Sequence, residues 1–228
     1  MGTGLTIATY LCLIVFLWRV LWRIVLHYRI EERTAYREEG NRRPSLVTAL
    51  RAVRDVLFLA RLFRTNKLLW AGEWIFHVTF LMVAVRHLRY FLYPVPDWIV
   101  DFQSAGIYAG YILPLTLIYI VVVKTVIERK SYFSSYNFFL LVVLLLTCVS
   151  GIVLTDFMRA DLVDVKYFML SALAFSSAPA PESTPFIVHF ILTLIFLVSL
   201  PSHIFAAPFT ILEARKREDG LHRIMHEK

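Results

Sequence analysis

Residues 67–93 read KLLWAGEWIFHVTFLMVAVRHLRYFLY. Such a run, apolar over most of its length, is a bilayer-spanning helix, since about 20 apolar residues cross the hydrocarbon core. This one is longer than a bilayer requires, so its ends project or the helix tilts. It also holds two histidines, His77 and His87, at positions where an ionisable side chain costs several kcal/mol unless something engages it.

Four more apolar runs surround it, at about 5–26, 105–126, 138–157 and 186–211. The chain has 228 residues, 58% of them hydrophobic and 18% charged, which is too little charge to cover a soluble domain of this size. We therefore expect an all-α integral membrane protein, a bundle of five transmembrane helices forming one domain over residues 1–228. The N-terminus has arginines after its apolar run and no small-residue cleavage site, so it reads as a retained first span and not a secretory signal. The net charge of +7 points to orientation and lipid contact, not to nucleic acid. Lys and Arg collect between the first and second spans, between the third and fourth, and in the C-terminal tail. This alternation predicts an N-terminus outside, a cytoplasmic C-terminus and a multi-pass protein of the inner (cytoplasmic) membrane. Within the first basic segment, residues 45–66 read as a cytoplasmic amphipathic interfacial helix that Ser45 can cap. Arg51, Arg54, Arg61 and Arg64 share one arc of it; Ala52, Val56, Leu59 and Phe63 lie opposite. These arginines face either lipid phosphates or a partner subunit. The two cysteines, Cys12 and Cys148, sit in apolar runs and make no CxxC, so this chain alone binds neither a cysteine-ligated cluster nor a c-type haem.

Seven histidines are present, and His77, His87, His189 and His203 fall within spans. The second and fifth spans run in opposite directions, which puts His87 level with His189 and His77 level with His203. The levels lie roughly 15 Å apart along one helix and roughly 21 Å along the other. Zinc or copper wants three or four converging ligands. Two imidazoles facing across a gap are what a six-coordinate haem iron takes. The four histidines thus read as axial iron ligands of two b-type haems. Arg86 and Arg89 flank His87 and either pair with haem propionates or reach the headgroups.

The five-span layout with paired histidines resembles the gamma subunit of respiratory nitrate reductase. The stretch RTNKLLWAGEWIFHVTFLMVAVRH, with His189 and His203 only fourteen residues apart, resembles more closely the cytochrome b subunits of heterodisulfide-reductase-like, Dsr, Hmc and Tmc membrane complexes. The resemblance implies an electron-transfer subunit of a quinone-linked oxidoreductase of sulfate reduction and related respiration. It implies bis-histidine haems, exchange with menaquinone, a cytoplasmic iron–sulfur subunit, other membrane subunits and, in the Hmc and Tmc complexes, a periplasmic multihaem cytochrome c. A haem-free membrane anchor or transporter-like bundle is the alternative.

Overall fold

The computed structural model describes residues 2–35, 46–127 and 134–201, together with Pro208, Ile211, Leu212, Ala214, Arg215, Glu218 and Met225. His203, His222, His226 and the Ser45 cap lie outside the described residues. The described elements are all helical. In chain order they are α1 (Gly2–Ala35), α2 (Leu46–Leu57), α3 (Ala60–Thr65), α4 (Lys67–His87), α5 (Asp97–Asp101), α6 (Gln103–Val122), α7 (Ser135–Ile152), α8 (Leu162–Leu173) and α9 (Thr184–Ser199). Two of them end in a π-helical turn: α6 runs on through Val123–Ile127 and α7 through Val153–Phe157.

Among the described residues, four helical stretches are long and apolar enough to cross a membrane: Gly2–Leu26, Lys67–Tyr90, Gln103–Ile127 and Ser135–Phe157. The protein is a multi-pass membrane protein. The expected fifth span appears as α9, whose 16 described residues reach about 24 Å. That is short of a bilayer core of about 30 Å. The rest of the expected 186–211 span lies largely outside the described residues. Threonine hydroxyls in the spans are satisfied inside their own helices. Thr79 donates to the Ile75 carbonyl at 2.8 Å, Thr147 to Val143 at 2.8 Å and Thr193 to His189 at 2.8 Å. This is how a span carries threonine where no water is at hand.

The chain divides into two compact units, Met1–Leu13 with Leu68–Val198, and Ile14–Lys67 with Ser199–Lys228. In the first, Phe168 of α8 and Phe186, Phe190 and Leu194 of α9 form a buried core, with Leu5, Ala8 and Cys12 of α1 against it. In this unit α4 and α6 also approach closely. A Cβ on Gly72 would fall 2.6 Å from the Tyr119 ring, and one on Gly106 would fall 2.7 Å from Arg86 Cβ.

In the second unit, the interfacial segment is two helices in place of one. Leu59 adopts a left-handed backbone (φ 48°) between α2 and α3. On α2, Thr48, Ala52 and Asp55 are buried, while Leu46, Leu50, Val53 and Leu57 form an exposed apolar stripe at helical spacing. The apolar face is therefore turned away from the Ala52 side on which the sequence places it. Asp55 receives Arg215 Nε at 2.7 Å, with Arg61 at 3.5 Å and Arg54 at 3.8 Å. Arg61 also pairs with Glu218 at 2.7 Å. Burial works to raise the Asp55 pKa, but the hydrogen bond and charge of Arg215, helped by Arg61 and Arg54, outweigh it and hold the carboxyl below its ordinary range. Arg54 and Arg61 thus serve the fold of this unit; among the described residues, the exposed Arg51 and Arg64 of the expected docking set take part in no ion pair.

Candidate functional site

Three of the four span histidines are described, and in each the Nδ1 atom is occupied. His77 Nδ1 lies 2.6 Å from the Glu73 carbonyl and His87 Nδ1 lies 2.7 Å from the Val83 carbonyl, both four residues earlier on α4. A carbonyl only accepts, so each Nδ1 carries the proton. His189 Nδ1 lies 2.9 Å from Ser150 Oγ on α7, and that hydroxyl donates its own proton to the Thr147 carbonyl at 2.9 Å. Ser150 then accepts from His189. In all three rings the lone pair is left on Nε2, the tautomer that a metal-ligating imidazole takes when its other nitrogen is held by a second group.

The structure brings His87 and His189 together. Their ring centres are 6.3 Å apart and the rings lie within 21° of parallel. Two metal–imidazole bonds of about 2 Å each, with the distance from each nitrogen to its ring centre, call for roughly 6 Å between ring centres. The donor set and its spacing fit one metal ion held between two imidazoles. Among the described residues, no three His, Cys, Asp or Glu side chains converge as a zinc or copper site requires. Gly151 makes room beside the pair, because a Cβ there would fall 3.2 Å from His189 Cε1. His77 is exposed, with Phe76 edge-on at 4.9 Å.

Cationic side chains gather at the His87 end of α4. Arg89 Nη2 donates to the Tyr90 hydroxyl at 2.6 Å, and its guanidinium lies 4.7 Å from the centre of the Tyr90 ring. Arg86 lies across Gly106. The Nε atoms of Arg86 and Arg89 are both buried and have no hydrogen-bond partner among the described residues. A buried charged donor left unmade is costly, so two side by side mark a place for an anionic or strongly accepting group. On the same end the Tyr111 hydroxyl of α6 donates to both oxygens of Asp156, at 2.8 and 2.9 Å. At the other end of α4, Glu73 pairs with Lys124 at 3.1 Å, and the Tyr119 hydroxyl donates to the Leu68 carbonyl at 3.1 Å.

Among curated proteins, the chain is 30% identical over 150 residues to the Hdr-like menaquinol oxidoreductase cytochrome b-like subunit of Archaeoglobus fulgidus, covering 58% of this chain and 45% of that protein. It is 30% identical over 154 residues to the subunit of the same description from Archaeoglobus profundus, covering 58% of this chain and 44% of that one. Over that part of its length the chain is similar to these Hdr-like cytochrome b-like subunits. It spans less than half the length of the curated relatives it matches. No family model and no solved structure matches it.

The sequence marks the paired histidines and the flanking arginines, but not the groups that hold them. Ser150, Gly151, Tyr111, Asp156, Glu73 and Lys124 carry no spacing signal of their own. The one signal present was three polar or ionisable residues, Glu73, Lys124 and Asp156, inside or at the ends of otherwise apolar runs.

Proposed function

We propose that the chain is a membrane di-haem cytochrome b subunit of a respiratory oxidoreductase complex, with one haem between His87 and His189 and the other between His77 and His203. The observation that carries this reading is the His87–His189 pair at 6.3 Å, with Nδ1 of each ring taken by an oxygen so that Nε2 is left for iron. Bound there, haem supplies one-electron carriage across the bilayer. The chain's own residues do the rest. The Val83 carbonyl and Ser150 fix the tautomer and orientation of the two imidazoles. Arg86 and Arg89 offer their unmade donors to propionates. The apolar walls of the spans keep water from the iron.

The names of the Archaeoglobus relatives support a quinol substrate, and we place it at the His87 end, beside Arg86, Arg89 and Tyr90. Electrons then pass between menaquinone, or a periplasmic multihaem cytochrome c, and a cytoplasmic iron–sulfur subunit, with other membrane subunits completing the complex. The basic loops favour an inner-membrane orientation with the N-terminus outside and the C-terminus in the cytoplasm. In that orientation, residues 45–66 lie on the cytoplasmic face, where Arg51 and Arg64 are the docking arginines and the Leu46–Leu50–Val53–Leu57 stripe meets lipid.

Pyridine haemochrome analysis of the purified chain tests the reading. Two haems b per chain with low-spin bis-imidazole electron paramagnetic resonance signals are expected. A colourless chain is instead a haem-free anchor.

A further inference from the structure

We propose that Asp156, positioned by Tyr111, is the proton acceptor for quinol oxidation at the His87 end of the bundle. This inference rests on the quinol reading of that end.

The geometry sets Tyr111 apart from other tyrosines of the same unit. Tyr10 and Tyr119 donate to backbone carbonyls, of Ala172 at 2.8 Å and Leu68 at 3.1 Å, which suffices to tie a tyrosine to a neighbouring helix. Tyr111 donates to a carboxylate, and to both of its oxygens. A carboxylate has about four acceptor sites, so one shared hydroxyl leaves it able to take more hydrogen bonds. Asp156 is exposed and Tyr111 is 36% exposed, so the pair is reached from outside the bundle.

Its placement comes from the π turn Val153–Phe157 that ends α7. The extra residue in such a turn rotates the later positions by about 100° relative to an α-helix, and π turns recur at functional sites. The same helix thus presents Ser150 and Gly151 to His189 and, within the π turn, Asp156 to Tyr111 on α6. The charged groups around the pair are Arg86 of α4, which interacts electrostatically with both Tyr111 and Asp156, and Arg159, which interacts with Tyr111 and is tied to the Thr155 carbonyl at 2.9 Å. Arg86 adjoins His87. A quinol head group beside Arg86 would therefore lie between an electron acceptor and a carboxylate.

A quinol loses two electrons and two protons to become a quinone. Haem held between His87 and His189 would supply the one-electron acceptor, and the next carrier of the complex would take up each electron in turn. As each quinol O–H bond breaks, its proton forms an O–H bond on Asp156. The neutral acid then releases that proton to water at its exposed face and is ready for the second.

The test uses the complex in its native membrane with menadiol as the quinol probe. Asp156→Asn keeps the hydrogen-bond acceptor for Tyr111 but removes the proton acceptor. Menadiol-driven haem reduction is expected to fall about 100-fold, within the range for loss of a general base. The carboxylic acid band that menadiol raises in the infrared difference spectrum is expected to vanish, while haem content and reduction by dithionite stay as in the parent. Tyr111→Phe, a milder change that guards against misfolding of the first variant, is expected to slow menadiol oxidation about tenfold and to shift that band. Wild-type rate and an unchanged infrared band in Asp156→Asn overturn the assignment to Asp156. Absence of haem from the parent complex overturns the haem reading beneath it, and the two failures are told apart by the haem content.

Discussion

At one end of α4, Glu73 faces Lys124 and the two charges cancel, with His77 exposed one turn on. At the other end, Arg86 and Arg89 bring two buried Nε donors, with no partner among the described residues, to the neighbourhood of a partly buried His87 that already has His189 opposite. One helix thus carries a compensated end and an end with surplus positive charge. A polar group inside a membrane is normally engaged by partners from the same chain. The compensated end obeys that rule by itself. The uncompensated end obeys it only when something negative or strongly accepting joins it, which is the mark of a binding site as opposed to a structural contact.

The largest effect expected is all-or-none. His87→Ala and His189→Ala each remove the same haem, and His77→Ala and His203→Ala each remove the other, so every single variant halves the haemochrome yield per chain. If His77→Ala and His189→Ala abolish the same spectral component, the pairing across the two ends is wrong. Next comes Ser150→Ala, which takes away the oxygen that holds His189 Nδ1. Loss of such an outer partner typically costs 10–100-fold in metal affinity, so haem titration of the apo-protein is expected to show about a tenfold weakening at the His87 end and none at the His77 end.

Helix packing sharpens the contrast further. Gly106→Ala puts a Cβ 2.7 Å from Arg86 Cβ and is expected to lower stability by about 2 kcal/mol in thermal melts in detergent. Gly110→Ala, where no atom lies within 4 Å, is expected to change it by less than about 0.5 kcal/mol. The smallest effect belongs to the compensated end. Glu73 and Lys124 keep side-chain exposures of 21% and 28%, so solvent screens the pair and Lys124→Met is expected to cost only about 1 kcal/mol. The double variant with Glu73→Gln is expected to recover part of that loss, and both haems remain.

Much of this was legible in the sequence because it depends on period and depth. Residues 67–93 announce a span by length alone, and opposite chain direction suffices to match His87 with His189. The features that stayed hidden depend on rotation about a helix axis. Ser150 and Asp156 are six residues apart, and the π turn between Val153 and Phe157 changes the face Asp156 presents, which a period of 3.6 does not anticipate. On α2, the arginines suggested a polar face that would leave Ala52 toward the membrane. The buried Asp55, held by Arg215 far along the chain, turns Ala52 inward and leaves the leucines outside. Long-range ion pairs of this kind have no local signature.

The hydrogen bonds of the histidines also have an order in time. The partners of His77 and His87 are carbonyls four residues upstream, so each exists before its histidine has been synthesised and is in place as soon as the first turns of α4 wind. His189 depends on a serine 39 residues earlier on a different helix. The rings of α4 are therefore set in the nascent helix, while that of α9 is set only on docking against α7, and a lesion in α7 would yield a chain with two of its imidazoles correctly posed and the third adrift.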